Sequence, residues 1–158
     1  MSLGKGAPPA VASLDRVSCP VERDTDRFSV QHEARGLAER AGFPRLAAIE
    51  IAIVASELTS NVLKYGVRGS VVVEAIDDPA RGPGVKVTAF DEGPPFTDFD
   101  QALSDGSDEN GPISVSRFAN RGGIASGLGA VRRLSDACGW TPEPRGKSVW
   151  AVRWLRRG

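Results

Sequence analysis

The amino-acid sequence predicts an α+β fold, a two-layer α/β sandwich in which helices cover one face of a mixed, mostly antiparallel sheet. Two observations predict it. A long segment in the first half repeats its apolar residues at the period of a helix that is buried on one face. Residues 70–76 and 85–91 are β-branched runs joined by a turn-rich stretch, which is typical of an antiparallel strand pair. A chain that combines such a one-sided helix with an antiparallel strand pair is expected to form a sheet covered by helices on one side.

The elements are predicted in the order β-α-α-β-β-loop-α-β. The first strand lies within residues 11–21. Thr25 or Asp26 can cap a first helix that runs to about Ala41, and Gly42 supplies its stop. The chain therefore begins with one strand and one helix before its longest helical segment.

The second helix is predicted to start at Pro44 and to end near Gly66, because proline suits the first turn of a helix. Its apolar stripe consists of Ile51, Val54, Ala55, Leu58, Val62 and Tyr65. Residues 128–138 are predicted to form a third helix, and residues 148–155 form the closing strand.

Composition limits the domain count and the function classes. Residues 11–158 suit one domain of roughly 150 residues, and residues 1–10 have the small, proline-containing composition of a disordered lead or a cloning remnant. The 20 basic and 20 acidic residues balance, so no overall field favours nucleic acid or an anionic membrane. The longest apolar stretch, residues 47–55, is too short to span a bilayer, and we expect a cytoplasmic protein. The single histidine and two unclustered cysteines exclude histidine triads, zinc fingers and disulfide scaffolds.

Glu57 and Asn61 lie four positions apart on the second helix, so they project from one face a turn apart. They lie at the edge of the buried stripe. A carboxylate and an amide placed there could serve as a general base and a magnesium ligand. An ordinary polar helix margin is the alternative interpretation.

Asp91 ends the third predicted strand, and Gly93 follows it two residues later. A carboxylate at the end of a strand can accept a hydrogen bond from the amino group of a base, and the nearby glycine lets a flat ring approach the backbone. A plain turn at the end of the strand is the alternative.

Residues 122–129 (GGIASGLG) lead directly into the third helix. Glycine-rich backbone at a helix N-terminus can present N–H groups to an anion. The segment follows a long loop and not a strand, which argues against a dinucleotide-binding fingerprint. The Gly-Lys-Ser at residues 146–148 lacks the earlier glycine of a P-loop, because Thr141 stands there. A flexible hinge without a ligand is the alternative for these glycines.

In this order and spacing, the three motifs resemble the N, G1 and G2 boxes of the GHKL (Bergerat-fold) ATPases, the superfamily of gyrase, MutL and sensor histidine kinases. The segments ASELTSNVLKYG, DEGPPF, GGIASGLGAVRRLSD and VRWLRR are similar to the small RsbT/RsbW-type serine kinases, which switch bacterial anti-sigma partners. The resemblance covers most of residues 21–155.

The resemblance implies a role for each matching residue. Glu57 would polarise the attacking nucleophile, and Asn61 would hold magnesium. The remaining nucleotide-binding residues would be Asp91 at the adenine, Gly93 beside it, Gly123, Gly127, Leu128 and Gly129 in the G2 box, and Ser148 in the element that supports the adenine pocket. Residues 96–126, which are acidic at their start and rich in glycine, would form a lid.

The function implied is that of an ATP- and Mg²⁺-dependent serine/threonine protein kinase and partner-switching regulator. Its partner would be a STAS-domain anti-anti-sigma or stressosome-type protein, with a sigma factor or a PP2C-type phosphatase as further candidates. Pro95 replaces the second glycine of the G1 box, where it fixes φ and removes an N–H. This departure favours, as the alternative, a nucleotide-binding or degenerate binding module without catalysis. A nucleotide-gated switch acting on a phosphatase or cyclase is a third interpretation.

Overall fold

A computed structural model describes residues 4–9, 11–65, 68–93, 107–108, 111–112 and 127–156. The helices are α1 (Asp26–Arg40), α2 (Arg45–Tyr65) and α3 (Leu128–Leu134). The strands are β1 (Ala12–Val21), β2 (Gly69–Asp78), β3 (Gly82–Asp91), β4 (Ser107–Asp108), β5 (Gly111–Pro112), β6 (Ala137–Glu143) and β7 (Gly146–Trp154).

The main sheet has five strands in the order β1-β2-β3-β7-β6, and each neighbouring pair is antiparallel. The short strands β4 and β5 form a separate two-residue ladder. A parallel bridge between Lys5 and Trp140 adds the N-terminal segment to the β6 edge. The predicted fold class, a two-layer α+β sandwich with a mostly antiparallel sheet, is confirmed.

The main core lies between the sheet and the helices. Five residues of the predicted α2 stripe are buried, namely Ile51, Val54, Ala55, Leu58 and Val62. They pack with the α1 residues Val30, Ala34, Leu37 and Ala38 and with the strand residues Val71, Val73, Val87, Ala89 and Val149. The side chain of Tyr65, the sixth member of the stripe, lies outside the described residues. Removing this apolar surface from water is the main favourable term that holds the two layers together.

The segment Arg45–Lys64 of α2 is long and apolar enough to cross a membrane by length and composition. In this structure 56% of its most apolar 18-residue window is buried inside the protein. Burial between α1 and the sheet explains its apolar composition as that of a core helix.

The prediction for the third helix is wrong in its second half. The helix ends at Leu134, Ser135 is extended, and residues 137–143 form β6, which pairs with β7. Cys138 and Trp140 alternate with Gly139 and are buried in the core. A side chain at Gly139 would fall 2.8 Å from both the Gly4 carbonyl oxygen and the Trp150 ring. Pairing with β7 and this close packing outweigh the local helical pattern.

Part of the N-terminal segment of small and proline residues lies against β6. The Gly6 amide donates to the Trp140 carbonyl oxygen at 2.8 Å, and the Trp140 amide donates to that of Gly4 at 3.1 Å. The Gly6 carbonyl oxygen accepts hydrogen bonds from the indole N–H of Trp150 and the hydroxyl of Thr141. Residues 4–6 therefore pair with the β6 edge at Trp140, where backbone groups would otherwise be unpaired.

Candidate nucleotide-binding site

The second half of α2 and the end of β3 are held close together by Gly69. Gly69 pairs with Asp91 across β2 and β3, and a Cβ at Gly69 would overlap the Val62 side chain of α2. The same Cβ would fall 2.7 Å from the Phe90 carbonyl oxygen. The absence of a side chain at Gly69 thus lets α2 approach the sheet, and Asn61 is the residue next to this contact.

The Asp91 carboxylate is buried at the end of β3, with 4% of the residue exposed. Its Oδ1 accepts hydrogen bonds from the Gly93 amide at 2.7 Å and from the Lys147 ammonium at 2.9 Å. Its Oδ2 is the one buried side-chain polar atom of the described residues that has no hydrogen-bond partner. Because a buried acceptor without a donor costs about 1–3 kcal/mol, this atom fits a ligand that carries a donor, such as the exocyclic amino group of adenine.

Lys147 and Gly146 complete the surroundings of Asp91, and they belong to the same Gly-Lys-Ser element in which the resemblance assigns Ser148 to the adenine pocket. Lys147 lies directly opposite Asp91 in the β3–β7 register, and 2% of its side chain is exposed. Gly146 has a φ of 119°, and a Cβ there would overlap the Asp91 carbonyl oxygen. Only glycine accommodates this combination of positive φ and backbone contact.

Ser148, which the resemblance assigns to the adenine pocket, is not brought to Asp91. Successive side chains of a strand point to opposite faces, so Ser148 faces away from Lys147 and Asp91. Its register partner is Phe90, and its hydroxyl donates to Glu143 Oε1 at 3.0 Å. The structure therefore places Lys147, and not Ser148, beside the Asp91 carboxylate.

Glu57 connects α2 to the start of α3. Its Oε2 accepts a hydrogen bond from the Gly127 amide at 2.7 Å, across 70 residues of sequence. Gly127 has a φ of 81°, which favours glycine, and Leu128 and Gly129 follow as buried residues of the first helical turn. Glu57 thus lies beside the start of α3, the segment that the resemblance assigns to the G2 box.

The other predicted site residues are placed as follows. Asn61 is buried one turn beyond Glu57, with 7% of the residue exposed, and Gly93 donates its amide to Asp91. Gly123 and Pro95 lie outside the described residues, as does the predicted lid except for Ser107–Asp108 and Gly111–Pro112.

A cavity of about 870 Å³ opens at this end of the sheet. Asp91 and Lys147 line it together with two arginines, Arg68 and Arg145. Neither Glu57 nor Asn61 lines it, so it does not reach the α2 side of the candidate site. Among the described residues, no three His, Cys, Asp or Glu side chains cluster in a way that could hold a metal ion.

Comparison with known proteins agrees with this geometry. The family model of the histidine kinase-like ATPase domain matches residues 22–153. The chain belongs to the histidine kinase-like ATPase family. The serine/threonine-protein kinase RsbT of Bacillus subtilis (strain 168) is 27% identical over 143 residues, which cover 90% of this chain and 98% of that protein. These findings confirm the resemblance to RsbT-type members of the GHKL superfamily.

Within this histidine kinase-like ATPase domain, the described site has two halves. Glu57 and Gly127 form one half between α2 and α3, and Asp91 and Lys147 form the other between β3 and β7. The individual roles that the resemblance implies for these residues stay predictions.

Proposed function

We propose that this chain is an ATP-dependent serine/threonine protein kinase and partner-switching regulator that acts on a STAS-domain protein in a bacterial sigma-factor or stress-signalling pathway. The observation that carries the proposal is the buried Oδ2 of Asp91, which has no hydrogen-bond donor among the described residues. It lies at the residue that the resemblance assigns to adenine. The similarity to RsbT, a protein named as a serine/threonine kinase, supports the reaction class.

The proposed nucleotide contacts follow from the donors and acceptors of the chain. Asp91 Oδ2 accepts from the base, while Gly93 and Lys147 keep the carboxylate in place through Oδ1. Asn61 supplies an amide oxygen to Mg²⁺, an ion that keeps several waters and is commonly held by substrate phosphates with few protein ligands. When bound, Mg-ATP supplies the phosphoryl group.

Glu57 is the proposed general base toward the hydroxyl of the partner. The Gly127 amide holds Glu57 Oε2, which fixes the direction of the carboxylate and leaves Oε1 as the oxygen to receive a proton. Phosphoryl transfer depends mainly on positioning and electrostatic stabilisation, so a fixed carboxylate beside a glycine-rich helix start suits this role.

The test is transfer of radiolabelled phosphate from ATP to a co-encoded STAS-domain protein. Glu57→Gln should keep nucleotide affinity close to that of the wild type and reduce transfer by about 10²-fold or more, because the base acts on the incoming hydroxyl. Asn61→Ala should instead weaken Mg²⁺-dependent nucleotide binding. Glu50→Gln is the matched control, since it removes the same charge from α2 at a partly exposed ion pair with Arg153.

Two outcomes would contradict parts of this proposal. Transfer that persists undiminished in Glu57→Gln removes the role assigned to that residue. Wild-type protein that binds both nucleotide and partner but transfers no phosphate favours the binding module without catalysis, the alternative to which Pro95 points.

A sigma factor or a PP2C-type phosphatase bound in pull-down assays would identify the downstream partner. All of these candidate partners act in the cytoplasm, which is where we propose that this chain works.

A further inference from the structure

We infer that Lys147 is a positioning residue that makes the site select adenine over guanine nucleotides, because it occupies one oxygen of the Asp91 carboxylate. The inference rests on the proposed function, since it requires that a nucleobase meets Asp91. It concerns a residue that the motif resemblance leaves without a role.

The two oxygens of Asp91 differ in what they can still accept. Oδ1 already accepts from the Lys147 ammonium at 2.9 Å and from the Gly93 amide at 2.7 Å. A carboxylate oxygen has about two lone-pair sites, so Oδ1 is saturated. Oδ2 has no partner. Asp91 therefore offers a ligand the acceptor sites of a single oxygen.

The Asp91–Lys147 ion pair is buried, and its burial keeps Oδ1 occupied while Oδ2 stays available. The side chains of Asp91 and Lys147 are 1% and 2% exposed and lie opposite each other in the β3–β7 register. Gly146 packs its backbone against that of Asp91. By comparison, Lys86 and Glu74 form a cross-strand pair on the same sheet at 3.6 Å, with side chains 16% and 15% exposed. Burial of both charges holds Lys147 on Asp91, because separating them would leave the Asp91 carboxylate buried away from both water and this cation.

A single available oxygen has different consequences for the two purines. Adenine presents one amino group, N6–H₂, as the donor on its pairing edge, and one acceptor oxygen satisfies it. Guanine presents N1–H and N2–H₂ side by side, and two parallel donors are best met by two carboxylate oxygens in a bidentate contact. With Oδ1 saturated, Asp91 keeps the adenine contact and loses the bidentate guanine contact.

The first test uses the wild-type protein and three diphosphates, ADP, GDP and IDP, by isothermal titration calorimetry. IDP has the base of GDP without the 2-amino group. We expect ADP to bind most tightly, and GDP and IDP to bind weakly and within about twofold of each other, because the second carboxylate oxygen is not available to the 2-amino group. GDP that binds about tenfold or more tightly than IDP would show that both oxygens are available and would overturn the inference.

The second test uses Lys147→Met, which removes the ammonium and keeps a long side chain. We expect GDP to gain about tenfold in affinity relative to IDP, the effect of one additional hydrogen bond to Oδ1. Lys147→Arg retains the cation and should restore the wild-type ratio. Lys86→Met, which breaks the other cross-strand pair, is the control and should leave the ratio unchanged.

The other possible results of these titrations show whether the inference about Lys147 fails alone or together with the proposed function. A folded Lys147→Met with an unchanged GDP-to-IDP ratio overturns the inference, as does GDP binding that weakens in this variant, since Lys147 would then contact the base itself. If Lys147→Met does not fold, the wild-type comparison of GDP with IDP decides alone. Wild-type protein that binds none of the three nucleotides overturns the proposed function and the inference with it, whereas ADP binding with a strong preference for GDP over IDP overturns only the inference.

Discussion

At the scale of single residues, two aspartate carboxylates stabilise local backbone turns by accepting hydrogen bonds from nearby amides. Asp78 Oδ1 accepts from the amides of Ala80 and Arg81 at 2.7 and 2.9 Å in the turn between β2 and β3. Both hydrogen bonds lower the pKa of Asp78, and the one from the Arg81 amide has the larger effect. Asp26 lies at the start of α1, and hydrogen bonds from the Glu22 and Arg23 amides likewise lower its pKa.

A folded-state pKa below the unfolded value adds stability above the unfolded pKa, and this stability is lost as the pH falls through the folded pKa. We therefore expect the urea midpoint to decline as the pH drops below about 4, the ordinary value for aspartate. Asp78→Asn should flatten part of that decline. Asp77→Asn, at the exposed neighbouring position on β2, should keep the wild-type profile. An acid profile identical in Asp78→Asn and wild type would show that the turn bonds do not carry the effect.

Some residues of the candidate site can be predicted from the local sequence, and others depend on strand pairing that the local sequence does not show. Asp91 could be predicted because a carboxylate at the end of a β-branched run, followed closely by glycine, is visible in the local pattern. The choice between Lys147 and Ser148 depends on the β3–β7 register, and a slip of one residue exchanges the two faces. Thr25 is the N-cap residue of α1, one of the two expected positions, but it makes no side-chain cap bond, and the Asp26 carboxylate accepts from the preceding Glu22 amide.

Gly69 controls the contact between α2 and the sheet at the scale of elements. Gly69→Ala should destabilise the fold by about 1–3 kcal/mol, because its Cβ would overlap Val62 and crowd the Phe90 carbonyl oxygen. The displaced α2 should also weaken nucleotide binding through Asn61. Chemical denaturation and a nucleotide titration measure the two effects.

Gly36→Ala on α1 is the matched control for Gly69→Ala. The nearest atom to a Cβ at Gly36 is the end of the flexible Arg40 side chain at 3.3 Å. Alanine is a better helix former than glycine by up to about 1 kcal/mol, so this control should be neutral or stabilising. Equal stability of the two variants would contradict the role assigned to Gly69.

Elements with a strong local period were predicted correctly, whereas strand β6, which is defined by its pairing with β7, was not. The α1 and α2 helices and the β2 and β3 strands appear close to their expected bounds because amphipathic stripes and β-branched runs are local signals. Strand β6 was missed because its pairing with β7 and the packing of Gly139 against Trp150 are invisible in a local window.

At the scale of the whole molecule, folding brings together residues that lie far apart in sequence. Glu57 meets Gly127 across 70 positions, and Asp91 meets Lys147 across 56. The family match over residues 22–153 spans all four. A nucleotide that bridges these elements should stabilise the entire fold, by about 2.7 kcal/mol at a hundred times its dissociation constant.

The measurement that most directly tests nucleotide binding at Asp91 is calorimetric titration of wild type and Asp91→Asn with Mg-ADP. We predict saturable binding by the wild type and a loss of about tenfold or more in Asp91→Asn, which removes the charge that pairs with Lys147 and places an NH2 donor where the acceptor Oδ2 stands. Asp24→Asn, at an exposed position, should bind as the wild type does. Wild-type protein that shows neither binding heat nor a thermal shift with millimolar Mg-ADP, or Asp91→Asn that binds with undiminished affinity, would contradict the account.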